Sequence, residues 1–125
     1  MYNLVLVVIG GGLGAGARYL ANIGAMRLVG PNFPWGTMAI NIAGSFAMGV
    51  FVALLGRRFG GSNELRMFIA TGILGGFTTF SSFSLDFATL WERGTPLPAF
   101  GYALASVIGG IIALFVGLWL ARTVS

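Results

Sequence analysis

The sequence predicts an all-α membrane protein with four transmembrane helices in a single domain, residues 1–125. Composition is the first reason: 57% of the residues are hydrophobic, 8% are charged and the mean hydropathy is +0.92, whereas a soluble domain has roughly 25% charged residues. The spacing of the charges is the second reason, because residues 2–17, 28–56, 67–85 and 94–121 contain no Asp, Glu, Lys or Arg. About 20 apolar residues span the hydrocarbon core of a bilayer, so four spans fit.

Turn signals divide these windows into helices at approximately 2–26, 35–56, 64–93 and 96–122. The first connection, residues 27–35, contains two prolines and ends at Trp35, which suits a membrane interface. The second, residues 56–63, is polar and offers a capping residue for the third helix. The third is Arg93-Gly94-Thr95-Pro96, where a glycine can end one helix and a proline can begin the next.

Arg18 follows the first, short window, so the first helix is expected to continue past it. Its guanidinium must then reach the interface along its own stem or face an aqueous vestibule. Two interpretations stay open for Arg18: a cation that faces an aqueous vestibule, or an interfacial anchor.

Residue types that are absent exclude most catalysis, and we predict that the protein is not an enzyme. The chain has no cysteine and no histidine, so it lacks thiolate nucleophiles, imidazole bases and the usual transition-metal ligands. Its seven basic residues are scattered arginines near helix ends, for which anionic lipid headgroups, and not nucleic acid, are the expected partner. No basic region and cleavage site open the chain, so Met1 is expected to begin the mature first helix.

Small residues at four-residue spacing predict where helices approach closely. The first helix has the pairs Gly10/Gly14 and Gly12/Gly16. The fourth helix has an unbroken stripe of small side chains: Gly101, Ala105, Gly109, Ala113 and Gly117. We interpret both patterns as structural.

Polar side chains also recur every four residues inside the predicted spans. Thr37, Asn41 and Ser45 form such a stripe on the second helix, and Tyr102 and Ser106 are four apart on the fourth. A primary amide in hydrocarbon needs a hydrogen-bond partner. Asn41 is therefore either an interhelical hydrogen-bonding residue or part of a pore.

The third helix contains the segment Gly72–Ser84, in which two adjacent glycines, five hydroxyls and three phenylalanines occur at bilayer depth. Glycine and β-branched threonine are poor helix formers, so we expect a break near Gly75-Gly76, close to the bilayer midplane. Such a break would free carbonyls that suit Na⁺, and the resumed half-helix would favour an anion. A kink filled by a neighbouring helix is the structural alternative.

Phenylalanines alternate with hydroxyls along the same segment, and this combination favours an anion pathway. Aromatic edges are electropositive, so ring edges beside Ser and Thr can replace part of an anion's hydration without a full charge that would trap it. The first carboxylate in the segment is Asp86. A cation pathway would therefore have little to attract its ion.

The arginines give almost no orientation bias, with four on one side of the membrane and three on the other. The positive-inside rule therefore gives almost no preference for one orientation over the other. A chain of this kind can insert in both orientations, and two opposite copies can form an antiparallel dimer about a twofold axis in the membrane plane.

Three motifs carry a family resemblance: residues 12–19 (GLGAGARY), Trp35-Gly36-Thr37 leading to Asn41, and residues 71–84 (TGILGGFTTFSSFS). With these motifs the chain resembles the bacterial Fluc/CrcB fluoride channels over essentially its full length. The resemblance implies a dual-topology, antiparallel homodimer in the cell (inner) membrane, with two fluoride pores that lower cytoplasmic fluoride passively and a structural Na⁺ at the subunit interface.

The resemblance also implies residue roles. Main-chain carbonyls of Gly75 and Thr78 would bind Na⁺, Asn41 would be the pore amide, and Phe80 and Phe83 would be the pore phenylalanines. The remaining candidates are the hydroxyls of Thr79, Ser81, Ser82 and Ser84, Tyr102 at a pore end, and Arg18 as a vestibule or structural cation.

Two other classes of protein are weighed against this one. A small multidrug-type transporter also has four helices and dual topology, but it needs a carboxylate in its first helix, and this chain has none there. A noncatalytic membrane scaffold would explain the small-residue stripes but not the cluster of hydroxyls and phenylalanines.

Overall fold

The computed structural model describes residues Met1–Val124, which form helices joined by short connections. We number them α1 (Tyr2–Val29), α2 (Trp35–Arg58), α3 (residues 63–77), α4 (Phe80–Glu92) and α5 (Pro96–Val124). α3 is composite, since a π-helix at Arg66–Leu74 lies between the short α-helical turns Asn63–Leu65 and Gly75–Phe77.

Four helical stretches are long and apolar enough to cross a membrane: Tyr2–Val29, Trp35–Arg58, Asn63–Glu92 and Pro96–Val124. The prediction of four spans is confirmed, with starts within one residue and ends within three of those expected. α1 runs beyond residue 26 because residues 27–29 contain no glycine or proline. Gly30 ends the helix at a φ of 77°, and its N–H donates to the Met26 carbonyl.

α1 packs along α3 through backbone contacts that only glycine permits. A methyl group on Gly14 would overlap the Ile73 carbonyl oxygen and lie 2.8 Å from the Phe77 nitrogen. A methyl group on Gly76 would lie 2.5 Å from the Gly11 carbonyl oxygen. By contrast, Gly12 and Gly16 have nothing within 4 Å of such a group. Of the two glycine pairs predicted on α1, only Gly10/Gly14 therefore lies in the contact with α3.

α2 and α5 form the other close helix pair, and glycines again meet backbone. A methyl group on Gly49 would overlap the Leu114 carbonyl, and one on Gly117 would overlap the Phe46 carbonyl. The predicted α5 stripe does not stay in this contact, because Gly101 is exposed with open space around it. A four-residue step advances about 40° around a helix, so a stripe of five such residues cannot keep to one face.

The backbone between α3 and α4 is extended, at ψ 160° for Thr78 and at φ −154°, ψ 119° for Thr79. The sequence predicts a break near Gly75-Gly76; both glycines are helical, and the extended residues lie just beyond Phe77. Gly76 instead allows the contact with α1. The two β-branched threonines adopt the extended conformation, which they prefer to a helical one.

Candidate functional site

Asn41 is bonded to the extended backbone by both ends of its carboxamide. Its Nδ2 donates to the Thr79 carbonyl at 2.9 Å, and the Thr79 N–H donates to its Oδ1 at 2.8 Å. Thr79 is 8% exposed, so its backbone groups need partners inside the protein. The amide therefore supplies the two hydrogen bonds that an uninterrupted helix would have given this residue, which is the interhelical interpretation of Asn41.

The carbonyls of Gly75 and Thr78 lose their usual helical donors at this point. In a regular helix the N–H four residues later would bond to each carbonyl. Here the Thr79 N–H donates to Asn41 and the Ser82 N–H donates to Thr79 Oγ1 at 3.2 Å, which caps α4. Within residues 1–124 no group of three or more His, Cys, Asp or Glu is placed to hold a metal ion.

The α2 stripe runs past three cavities in succession. Thr37 lines a cavity of about 310 Å³ beneath the 30–34 connection, which we call the loop-side cavity. Asn41 and Ser45 line a groove of about 270 Å³, which we call the central groove. Its other walls include Thr78, Thr79 and Phe80. Ser45 also lines a third, of about 310 Å³, shared with α5 and called the α5 groove. One polar helix face therefore contributes a side chain to each of the three spaces.

The phenylalanines of α4 lie in different surroundings. Phe83 is half-buried, with its ring centroid 5.2 Å from that of the fully buried Tyr102. Phe80 is 77% exposed, with its ring 5.6 Å from Phe83 and its side beside the central groove. Tyr102 donates a hydrogen bond to Asp86 Oδ2 at 3.1 Å, so its hydroxyl links α5 to α4.

The four candidate hydroxyls lie in different surroundings. Ser81 and Ser84 are exposed on α4, and Ser81 Oγ lies 3.4 Å from Thr79 Oγ1. Thr79 is committed to capping α4. Ser82 lines the loop-side cavity, away from the central groove. Within a single copy of the protein, these four hydroxyls therefore do not lie together at one site.

Arg18 is half-buried on α1, and its guanidinium makes no ion pair or hydrogen bond with any residue from 1 to 124. It lines none of the three cavities, although Asn22, one turn later on α1, lines the loop-side cavity. Both interpretations of Arg18 remain predictions.

Ser106 is a candidate whose importance the sequence pattern understated. Its Oγ is the one buried side-chain polar atom without a hydrogen-bond partner in the described part of the chain, and it lines the α5 groove with Ser45. Such a group costs about 1–3 kcal/mol when left unsatisfied. Its four-residue spacing from Tyr102 was the available signal, but only the packing shows that it lacks a partner.

Comparison with known proteins gives the family of this chain. A family model described as CrcB-like protein, Camphor Resistance (CrcB), matches residues 5–118. A protein of Mesorhizobium japonicum named fluoride-specific ion channel FluC is 79% identical over 123 residues, which cover 98% of each chain. Proteins of the same name from a Chelativorans species and from Agrobacterium fabrum are 60% and 56% identical, over 99% and 98% of each chain. The resemblance found in the sequence is confirmed, and the chain belongs to the CrcB family.

Proposed function

We propose that this chain forms a fluoride-selective channel that lets F⁻ leave the cell passively. The observation that carries the proposal is the 79% identity, over nearly the whole of both chains, to a protein named fluoride-specific ion channel FluC. Four spans and the channel family make it a multi-pass protein of the cell (inner) membrane and not an enzyme. α1 contains no carboxylate, so the chain lacks the proton-exchanging group that a small multidrug transporter needs in its first helix.

The polar face of α2 supports a route for the anion. Thr37, Asn41 and Ser45 follow one another through the loop-side cavity, the central groove and the α5 groove. The unpartnered Ser106 hydroxyl lies at the last of these and can donate to an anion without breaking a protein hydrogen bond. Fluoride is small and a strong acceptor, so hydroxyls, an amide and ring edges suffice for it, whereas a larger chloride is rejected by width.

A second, oppositely inserted copy would complete the site. Phe80, Ser81 and Ser84 are exposed on α4 of the single chain. The Ser81 hydroxyl can bond to Thr79 Oγ1 at 3.4 Å, but lipid offers no hydrogen-bond partner to the Ser84 hydroxyl. A partner copy on this surface would cover them and bring its own phenylalanines to the pathway. The arginine tally of four against three leaves both orientations accessible.

The proposed Na⁺ would lie where the extended pair of threonines meets the twofold axis, near the bilayer midplane. Support comes from the carbonyls of Gly75 and Thr78, whose ordinary donors bond elsewhere. Two carbonyls from each copy would give four neutral oxygens, a field that suits a small monovalent cation better than Mg²⁺, which keeps its waters. When bound, the ion would supply fixed positive charge beside the anion route.

Ion flux from liposomes containing only this chain tests the function. Vesicles loaded with equal potassium fluoride and potassium chloride, with a K⁺ ionophore added to carry the compensating charge, should release fluoride quickly, as read by a fluoride electrode, and should retain chloride, as read by a chloride electrode. Protein-free vesicles are the control. Equal release of both halides, or release of neither, would contradict the proposal.

A further inference from the structure

The loop-side cavity carries a charged side chain that the pathway described above does not use. Its walls are the end of α1, the 30–34 connection, the start of α2 and one face of α4. Among the residues that line it, Arg93 and Asp86 are the two with charged side chains. Arg93 lies at the end of α4, and its Nη1 donates to the Asn32 carbonyl at 2.9 Å. This bond holds the guanidinium over the connection that forms the cavity rim.

The two charges lie at opposite ends of the cavity wall. They are seven residues apart on α4 and the short turn after it, roughly 10 Å along a helix axis. Asp86 is at the inner end, where it accepts the Tyr102 hydroxyl. Arg93 is at the outer end and exposed. The net charge of the wall is zero, but an anion arriving from water meets the cation first.

Polar groups between these two charges can receive an anion drawn to the rim. Asn22 faces the cavity with a carboxamide that bonds to no residue from 1 to 124, and Thr37 marks its inner end on the α2 stripe. Glu92 and Arg27, the other charged residues near this end, do not line the cavity. The cavity therefore combines a cation at its mouth, an amide without a bonding partner among residues 1–124, and one residue of the polar helix face, Thr37.

We propose that the loop-side cavity is an anion-collecting vestibule, in which Arg93 raises the local concentration of small anions at the outer end of the pathway. This inference rests on the proposed fluoride conduction. Arg93 acts as a steering residue at the rim. In water, a unit charge at a generic separation of about 8 Å enriches a monovalent anion roughly two- to threefold, and the effect disappears when the Debye length falls from about 30 Å at 0.01 M to about 3 Å at 1 M salt.

Single-channel fluoride currents in planar bilayers test this inference, with subsaturating fluoride at an ionic strength of about 0.01 M and again of about 1 M. Arg93→Gln should lower the low-salt current roughly two- to threefold and leave the high-salt current unchanged. Arg93→Lys should keep most of the current. Arg27→Gln is the matched control, because Arg27 carries the same charge in the last turn of α1 without lining the cavity.

Each result decides the question. Equal losses of current from Arg93→Gln and Arg27→Gln would show that the effect comes from general surface potential. A loss of current that persists in high salt would show that Arg93 has a structural role. Either result overturns the vestibule. Should Arg93→Gln fail to fold, Thr89→Lys decides, since it adds a cation to the same wall and should raise the low-salt current. An unchanged current would overturn the proposal. Absence of fluoride current from the wild-type protein would refute the channel itself. A fluoride current that Arg93→Gln leaves unchanged at low salt would refute only the vestibule.

Discussion

Replacing Asn41 by leucine should destabilise the protein as well as stop conduction. Asn41→Leu keeps the approximate volume of the side chain but removes both hydrogen bonds to Thr79, at 2.9 and 2.8 Å. The Thr79 N–H and carbonyl then stay unpaired in a residue that is 8% exposed. At about 1–3 kcal/mol for each unsatisfied group, the loss is about 2–6 kcal/mol. The lower bound corresponds to a fall in Tm on the order of 5–10 °C.

Thermal unfolding of the purified protein in detergent, followed by its tryptophan fluorescence, measures this loss. Ser45→Ala is the matched control, because Ser45 lies one turn further on the same stripe and makes no hydrogen bond with residues 1–124. Asn41→Asp should fall between the two in stability, since the carboxylate accepts the Thr79 N–H but cannot donate to its carbonyl. A Tm for Asn41→Leu equal to that of Ser45→Ala would refute the reasoning that the amide holds the extended segment.

Gly14→Ala should lower stability by about 1–3 kcal/mol because its methyl group meets backbone of α3, whereas Gly16→Ala, with open space, should not; equal Tm values would contradict the α1–α3 contact. Phe80→Ile and Phe83→Ile keep bulk but lose the electropositive ring edge, so fluoride flux should fall while the dimer persists on size-exclusion chromatography; wild-type flux would mean that the rings only pack. Two or three lysines added in the loop at residues 59–63 should force one orientation and abolish flux, and coexpression with an oppositely biased variant should restore it; full activity of one biased variant alone would rule out an obligatory antiparallel pair. Exchange of all Na⁺ for N-methylglucamine should lower the Tm, and added Na⁺ should restore it; an indifferent Tm would remove the Na⁺ site.

The sequence by itself determined the number and approximate limits of the helices. Charge-free windows and proline or glycine turns are local properties, and the cost of burying a charge or an unpaired backbone group in lipid leaves few other arrangements. The same local reading singled out the segment from Gly72 to Ser84, because hydroxyls and glycines at bilayer depth have few other uses. Its specificity also carried the family resemblance, which the comparisons confirmed.

Only the tertiary structure decided which small residues touch and which polar groups are paired. Gly14 and Gly16 belong to equivalent sequence patterns, yet one meets backbone and the other meets none. Asn41 and Ser106 are both polar residues inside spans, yet one is bonded twice and the other not at all. Such outcomes depend on how each helix is rotated about its axis against its neighbours, and a four-residue spacing cannot give that rotation because it drifts by about 40° at each step. Packing of backbone against backbone selects the rotation, and with it the side chains that remain free to meet an anion.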